Sequence, residues 1–446
     1  MKTFLFFRRL RRVAALASTA FASSFAFAGT PGVTIDYDPA AHCYRVDFDL
    51  EAVSHCEMGR QYAAAIRREF PKFERLTDRF LKETIDAANK GIDDPAKKMT
   101  LAKVLANVNE LRMNIPPEYM EEIEGMGLVF SWPKDELGDG HLSPQEIFVS
   151  VIFEDVTESA ACSAAAVFGG ASSTGKTIVG RNNDWAPDEE TDSWNAFFVF
   201  HNGDKSSAGN GMIGELFPNN VFNRHHIFGA SLDSYPASEP PPRLAGSRSP
   251  TVDLRYAIES SRTLAEAEEF LRGHSYATGS LTLLADAKAA HVLEYDTSRP
   301  VGRRGTIRSD GSKLIKGVGW GIPNAIASVN SFVLPGGFPN HLGDAHNRLR
   351  FKNFRNLLRD DLKKGPVDLD GMKATMGYTS RDGCSTTTGA IFRLGVESGG
   401  EKDNATFQSL VMRLDTFETW MAYSARGSKW PYQPAYYKIL GGSPFK

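Results

Sequence analysis

The chain has 446 residues, 41% of them hydrophobic and 24% charged, and a formal net charge of −3. That is globular composition, with enough apolar material for one large domain or two ordinary ones. Five positive charges (Lys2, Arg8, Arg9, Arg11, Arg12) and no acid fall in the first 28 residues, so the remainder carries −8, a mildly acidic body that argues against nucleic acid as a partner.

The N-terminus reads as an export signal. A basic start, KTFLFFRRLRR, precedes the apolar run VAALASTAFA and the small-x-small pattern Ala26-Phe27-Ala28. The run is too short and too rich in Ala and Ser to span about 30 Å of bilayer, so no stable membrane anchor is expected. The mature protein is expected to be periplasmic or secreted. Residues 29–160 read as mostly helical. HCEMGRQYAAAIRREFPKFERLTDRFLKETIDAANK has helical spacing of apolar positions, IPPEYMEEIEGMGLVF is a proline-initiated helix, and LSPQEIFVSVIFED opens on a capping pattern.

From residue 162 the texture changes to short strands. CSAAAVFG and TIVGRNND are joined by GASSTGK, and NAFFVFHN, HHIFGASLDS, GSLTLLAD and AAHVLEYD follow. Helices are predicted over TVDLRYAIESSRTLAEAEEFLRG and AHNRLRFKNFRNLLRDDLKK, with late strands in STTTGAIFRL, ATFQSLVMRLD and TWMAYSAR. SEPPPRLAGSRSP (238–250) is a loop. Strand blocks alternating with helix pairs predict an α+β layered fold. The four cysteines, Cys43, Cys56, Cys162 and Cys384, are too few for a disulfide scaffold, and none forms a C-x-x-C pair. Cys43 and Cys56 are close enough to bridge in an oxidising compartment, which sequence alone leaves open; Cys384 reads as structural.

Gly170 to Thr177 matches the phosphate-cradling pattern G-x-x-x-x-G-K-[ST]. A phosphate loop, however, needs a helix after its lysine. Here Lys176 is followed by Thr-Ile-Val-Gly-Arg-Asn-Asn-Asp, a strand, so the glycines and lysine are expected to form a hairpin turn. Asp286, at the end of SLTLLAD, is likewise assigned to a turn and not to magnesium. Cys162 could be a small buried hydrophobe. The returning strand instead brings Arg181 and Asp184 back beside it, and a thiol with a cation and a carboxylate is a reaction centre.

Cys, strand, glycine-bearing turn, then strand with G-R-N-x-D-W resembles the start of the catalytic chain of N-terminal-nucleophile hydrolases. The nearest resemblance is to the acyl-coenzyme A:6-aminopenicillanic-acid acyltransferase (isopenicillin N acyltransferase) family, with the related choloylglycine hydrolases and penicillin V acylases. GRQYAAAI and PPEYMEEIEGMG look like the family's pro-segment, DLRYAIESSRTLAEAEEFLR like its later helix, LLADAKAAHVLEYD like its A-D-x-x-G…E hairpin, and ASVNSF like its T-N-H-F segment. The chain departs from the family at Ala161-Cys162-Ser163, where Gly-Cys-Thr is usual, and at Ser331, where a histidine is usual. HNRLRF keeps an arginine, Arg348, without the family's serine.

The resemblance implies a four-layer αββα sandwich with a helical N-terminal pro-segment: a signal over 1–28, a small chain over 29–161 and a catalytic chain over 162–446. It implies self-cleavage between Ala161 and Cys162, after which the new α-amine, of ordinary pKa about 7.7–8.0, is the base for its own thiol. Asp184 would orient the amine or thiol. Arg181 would stabilise the thiolate or hold the chain end, Asn330 would donate to the oxyanion, and Arg348 would line the site. His225 and His226 need no role, and Trp185 reads as a core residue. The substrate class implied is a small-molecule amide cleaved through an acyl-thioester, with no metal or organic cofactor; a homo-oligomer is compatible with this. The competing readings are an Ntn-fold binding protein with impaired catalysis and a papain-like Cys-His peptidase. The latter's cysteine starts a helix, not a strand.

Overall fold

The computed structural model describes residues 32–446 except 91, 96–97, 153–154, 156–160, 186–189, 235–244, 337–341, 343–344, 380–388, 395–404, 427 and 429–430. The leader (1–28), Cys384 and most of the 238–250 loop lie outside these residues, as do the side chains of Ala161 and Trp185.

The described residues open on a hairpin, β1 (Val33–Asp38) and β2 (Cys43–Asp49). The hairpin is an addition to a segment read from sequence as mostly helical. The alternation in VTIDYD and CYRVDFD is the signal, and it places Val46 and Phe48 on one buried face. Five helices follow: α1 (His55–Glu69), α2 (Phe73–Ala88), α3 (Leu101–Arg112), α4 (Pro117–Gly127) and α5 (Pro144–Val151). Pro71 ends α1 by denying the helix an N–H. Helices α1 and α4 cross closely because Gly59 and Gly125 lie at the contact, where a Cβ on either would strike the other helix's backbone.

Two strands, β3 (Ala161–Val167) and β4 (Ile178–Trp185), pair antiparallel around the GASSTGK turn. A strand follows Lys176, so the geometry is that of a hairpin and not of a phosphate loop. Then come β5 (Asn195–His201), β6 (Ser207–Met212), β7 (Asn220–Asn223) and β8 (Phe228–Asp233). The long helix expected next is two, α6 (Pro250–Ser260) and α7 (Leu264–Gly273). Thr263 and Glu266 form a capping box that starts the second. After β9 (Ser280–Ala285), β10 (Ala290–Tyr295), β11 (Gly305–Arg308) and β12 (Ala325–Val329) come α8 (Ala345–Leu362) and α9 (Leu369–Met376). The chain ends with β13 (Ala405–Arg413), β14 (Thr419–Tyr423) and β15 (Tyr437–Leu440). The strand expected in STTTGAIFRL is absent over its described part, 389–394. There the N–H groups of Ile391 and Phe392 both turn to the Tyr378 carbonyl, and only Leu394 bridges to Ala405.

The strands form two sheets, β1-β2-β5-β6-β7-β8-β9-β10-β11 and β12-β3-β4-β13-β14-β15. Alternation sorts each strand's residues between layers. Phe197 and Val199 of β5 and Ala164 and Ala166 of β3 meet in the core between the sheets. Phe198 and Phe200 turn the other way, onto α1 to α5. Ala165 and Val411 turn onto Phe351 and Phe354 of α8 and Met372 and Met376 of α9. The result is a four-layer αββα sandwich, as expected. The segment before Cys162 is part of it: β2 pairs in parallel with β5, and Arg255 of α6, fully buried, donates to Glu122 of α4 at 2.6 Å and Glu259 at 2.7 Å. No helix among the described residues is long and apolar enough to cross a membrane.

One buried acid makes stability pH-dependent. Glu146 completes the α5 capping box with Ser143, its Oε1 has no hydrogen-bond partner among the described residues, and burial pushes its carboxyl up to about 7, with Asp78, Asp139 and Asp135 adding to the shift. The folded pKa lies above the ordinary 4.5. Folding therefore favours the protonated form, and stability falls as pH rises from about 4.5 through about 7. Glu146→Gln, which can still close the box, is expected to raise the melting temperature at pH 8 and leave it unchanged at pH 5. An equal gain at both would assign the effect to packing.

Candidate active site

Cys162 is the second residue of β3 and faces the core between the sheets, 2% exposed. It lies opposite Asn183, and Ala164 lies opposite Arg181. Strand alternation therefore turns Arg181 and Asn183 inward with the thiol, and Asn182 and Asp184 outward to the α8–α9 layer. One Arg181 nitrogen, Nη2, donates to Sγ of Cys162 at 3.1 Å and to the Ser231 carbonyl at 3.1 Å. The thiol donates to Oδ1 of Asn183 at 3.7 Å. Arg181 is buried, and its Nε and Nη1 have no hydrogen-bond partner among the described residues.

The other end of Cys162 is also held. Its backbone N–H donates to Oδ1 of Asn330 at 2.8 Å. Asn330 follows β12, whose Val329 pairs with Ser163, so the sheet register itself brings the two together. The Asn330 orientation is dictated by its partners. Oδ1 also accepts from Nη2 of Arg350 at 2.5 Å, while Nδ2 donates to the Asp233 carbonyl at 2.7 Å. In the uncut chain Asn330 therefore presents its oxygen, not its nitrogen, to Cys162, and the N–H group expected to serve the oxyanion is engaged with the Asp233 carbonyl.

Behind Asn330 stands Arg350, fully buried, which also donates to Oδ2 of Asp184 at 3.0 Å and to Oδ1 of Asn347 at 2.6 Å. Asp184 accepts a second bond from Thr406 at 2.7 Å. Burial pushes the Asp184 carboxyl up, while Arg350, Arg393, the Thr406 hydroxyl and Arg181 pull it down. Asp184 thus reaches Cys162 through Arg350 and Asn330, not directly as expected, because its strand position faces it away from the thiol. Arg348 is a second correction. It is exposed and donates to the Leu342 carbonyl at 3.0 Å. The arginine at the site is Arg350, two residues on. Asn347, Arg350, Phe351, Phe354 and Leu358 form the buried face of α8, and that helical phase, visible in the sequence, could have chosen between the two arginines. Alternation from Arg181 could likewise have found Asn183.

The two loop histidines are occupied elsewhere. His225 pairs with Asp204 at 3.0 Å, and His226 bonds the Leu414 carbonyl at 2.6 Å. His346, one turn before Arg350, is pushed down to about 2 by burial and by Arg350 and Arg393, so it is a neutral imidazole. Cys43 and Cys56 are unbridged thiols.

No family model matches the chain, and no curated protein matches it. Distant likenesses exist among solved structures. The N-acylethanolamine-hydrolyzing acid amidase ortholog of Caenorhabditis elegans is 12% identical with a TM-score of 0.38, over 57% of this chain and 93% of that one. Conjugated bile acid hydrolase from Clostridium perfringens is 12% identical with a TM-score of 0.40, over 62% and 92%. Penicillin V acylase from Agrobacterium tumefaciens is 13% identical with a TM-score of 0.40, over 62% and 86%.

Proposed function

We propose that this chain is a self-maturing cysteine amide hydrolase or acyltransferase of the N-terminal-nucleophile kind. It would be exported with loss of residues 1–28 and cut between Ala161 and Cys162 into chains 29–161 and 162–446. The observation that carries the reading is that both reactive ends of one residue are held at once. Sγ of Cys162 lies 3.1 Å from Arg181, and its backbone nitrogen lies 2.8 Å from Oδ1 of Asn330.

In the uncut chain the thiol attacks the Ala161 carbonyl, the Ala161–Cys162 C–N bond breaks, and the acyl group moves to sulfur. Water hydrolyses that thioester, releasing the Ala161 carboxylate and leaving Cys162 with a free α-amine. Asn330 Oδ1, already accepting from that nitrogen, then holds the amine beside the thiol. The amine takes the thiol proton, the thiolate attacks a non-peptide amide R–CO–NH–R′, and the proton passes to the departing amine. Water completes a hydrolase cycle and a second amine a transferase cycle. Arg181 favours the thiolate and retains buried donors for the bound acyl group. Arg350 supplies the buried cation that the sequence reading placed at Arg348, which favours a working site over an impaired binding protein.

The oxyanion donor on this reading is Asn183, which shares the thiol's face: its Oδ1 accepts from the thiol, and once the thiolate has formed that bond is gone and the carboxamide is free to turn its Nδ2 to the oxyanion. Asn183→Ala is expected to lower kcat by about 10²–10³ in a folded protein; an unchanged kcat takes that role away from it. The test of the whole reading is intact mass and N-terminal sequencing of purified protein, followed by incubation with N-acyl amides. The larger chain is expected to begin Cys-Ser-Ala-Ala and to release free acid. Activity from a chain that stays in one piece would rule the mechanism out.

A further inference from the structure

Four carboxamides form a buried chain between the two sheets. Asn220 donates to Oδ1 of Asn210 at 2.9 Å, Asn210 to Oε1 of Gln408 at 2.7 Å, and Gln408 to Oδ1 of Asn195 at 2.8 Å. All four residues are at most 3% exposed. The far end is tied to the main chain. Nε2 of Gln408 also donates to the Gly211 carbonyl at 2.7 Å, and Nδ2 of Asn195 donates to the Asp192 carbonyl at 2.8 Å.

Those two carbonyls fix the direction of the whole chain. An amide turned end for end would set oxygen against oxygen at Gly211 or Asp192, and each amide in turn fixes the next. The last member, Asn220, is therefore left with its oxygen, not its N–H group, at the free end. That Oδ1 is buried and has no hydrogen-bond partner among the described residues. A stranded buried acceptor is destabilising unless something donates to it.

The sheet registers place this acceptor near the thiol. On the smaller sheet one row runs Cys162, Asn183, Gln408. On the larger sheet one row runs Ala230, Asn220, Asn210. Gln408 meets Asn210 directly across the core, and β3 packs on β8, with Cys162 and Ala230 in one apolar cluster. Asn220, between Asn210 and Ala230, therefore lies across from Asn183, and Ala230 carries no donor for it. Strands in a sheet are about 4.8 Å apart. Asn220 is thus one strand over from the position facing the thiol, within reach of a substituent on the carbon next to an acyl carbonyl held on sulfur, or on the one after it. In an amide cleaved at Cys162 the acyl group stays on sulfur while the amine must leave, so the buried side of the site holds the acyl group.

We propose that Oδ1 of Asn220 selects the acyl group by accepting from a hydroxyl or N–H on its α- or β-carbon. The inference rests on the amidase reading and narrows its substrate class to amides of acids that carry such a donor. The test uses p-nitroanilides of butyric acid, of its α-hydroxy and β-hydroxy derivatives and of their methyl ethers, with the cut wild-type enzyme. One hydroxy substrate is expected to exceed both the butyryl substrate and its own methyl ether in kcat/KM by at least about tenfold, because only the hydroxyl donates. Asn220→Leu is expected to abolish that ratio. The ratio is taken within one preparation, so a lower folded fraction does not alter it. Equal rates for hydroxyl and methyl ether in the wild type, as a buried water on Asn220 would give, overturn the proposal, and so does a ratio that survives in Asn220→Leu. A cut enzyme that hydrolyses all the substrates alike keeps the amidase reading and loses this one; a chain that cleaves no N-acyl amide loses both.

Discussion

Cys162→Ala is expected to leave a single uncut chain with no amidase activity. The substitution removes one sulfur from a buried position in the core between the sheets, where alanine already stands at 164 and 166, so the fold should persist. The sulfur is the atom that must attack the Ala161 carbonyl, and without it no acyl shift is available. Cys162→Ser retains a hydroxyl that can make the same shift, less readily, and is expected to be cut slowly. Cys43→Ser and Cys56→Ser should be cut normally. Cys43 faces the core, and burial pushes its thiol up to about 11, which leaves little thiolate near neutral pH. Denaturing electrophoresis and intact mass over hours after purification distinguish these cases. A correctly cut Cys162→Ala chain would mean that another nucleophile does the work.

Arg350→Met is expected to slow both maturation and turnover by about a hundredfold or more, because one side chain orders several partners of the site. One guanidinium serves Asp184, Asn330 and Asn347. Losing it frees the Asn330 carboxamide that holds the Cys162 nitrogen, and it strands a fully buried carboxylate. Breaking a buried pair from one side costs about 3–5 kcal/mol. The double variant Arg350→Met/Asp184→Asn separates the two effects. It should recover much of the stability, since the unpaired charge is gone, without recovering turnover, since Asn330 is still unheld. Arg348→Ala, two residues away on the exposed face, should match the wild type in both. Equal losses for the two arginines, measured by melting temperature and kcat together, would show that α8 as a whole and not this guanidinium supports the site.

Some features were legible because they depend only on near neighbours. The α5 start was readable from Ser143 and Glu146, since a capping box satisfies backbone groups within three residues. The β3–β4 hairpin was readable because β-branched residues and glycine after Lys176 oppose a helix. Cys162 and Arg181 were readable from that hairpin once its return was recognised. The layered α+β class followed from the change of periodicity near residue 162.

What the tertiary structure decided concerns facing and reach. Arg181 and Asp184 are three apart on one strand, so they face opposite layers, and only the packed α8 shows that Asp184 meets Arg350 there. Asn183 takes the place beside the thiol by alternation alone. Asn330 lies 168 residues from Cys162 in the chain, and no local pattern says that its oxygen, not its nitrogen, will face that residue. That orientation is set by Arg350 on one side and the Asp233 carbonyl on the other, two partners brought in from α8 and β8. Sequence determines which residues can do chemistry and which way each strand residue alternates; which of them meet depends on long-range packing, because a side chain's partners are whatever the opposing layer presents.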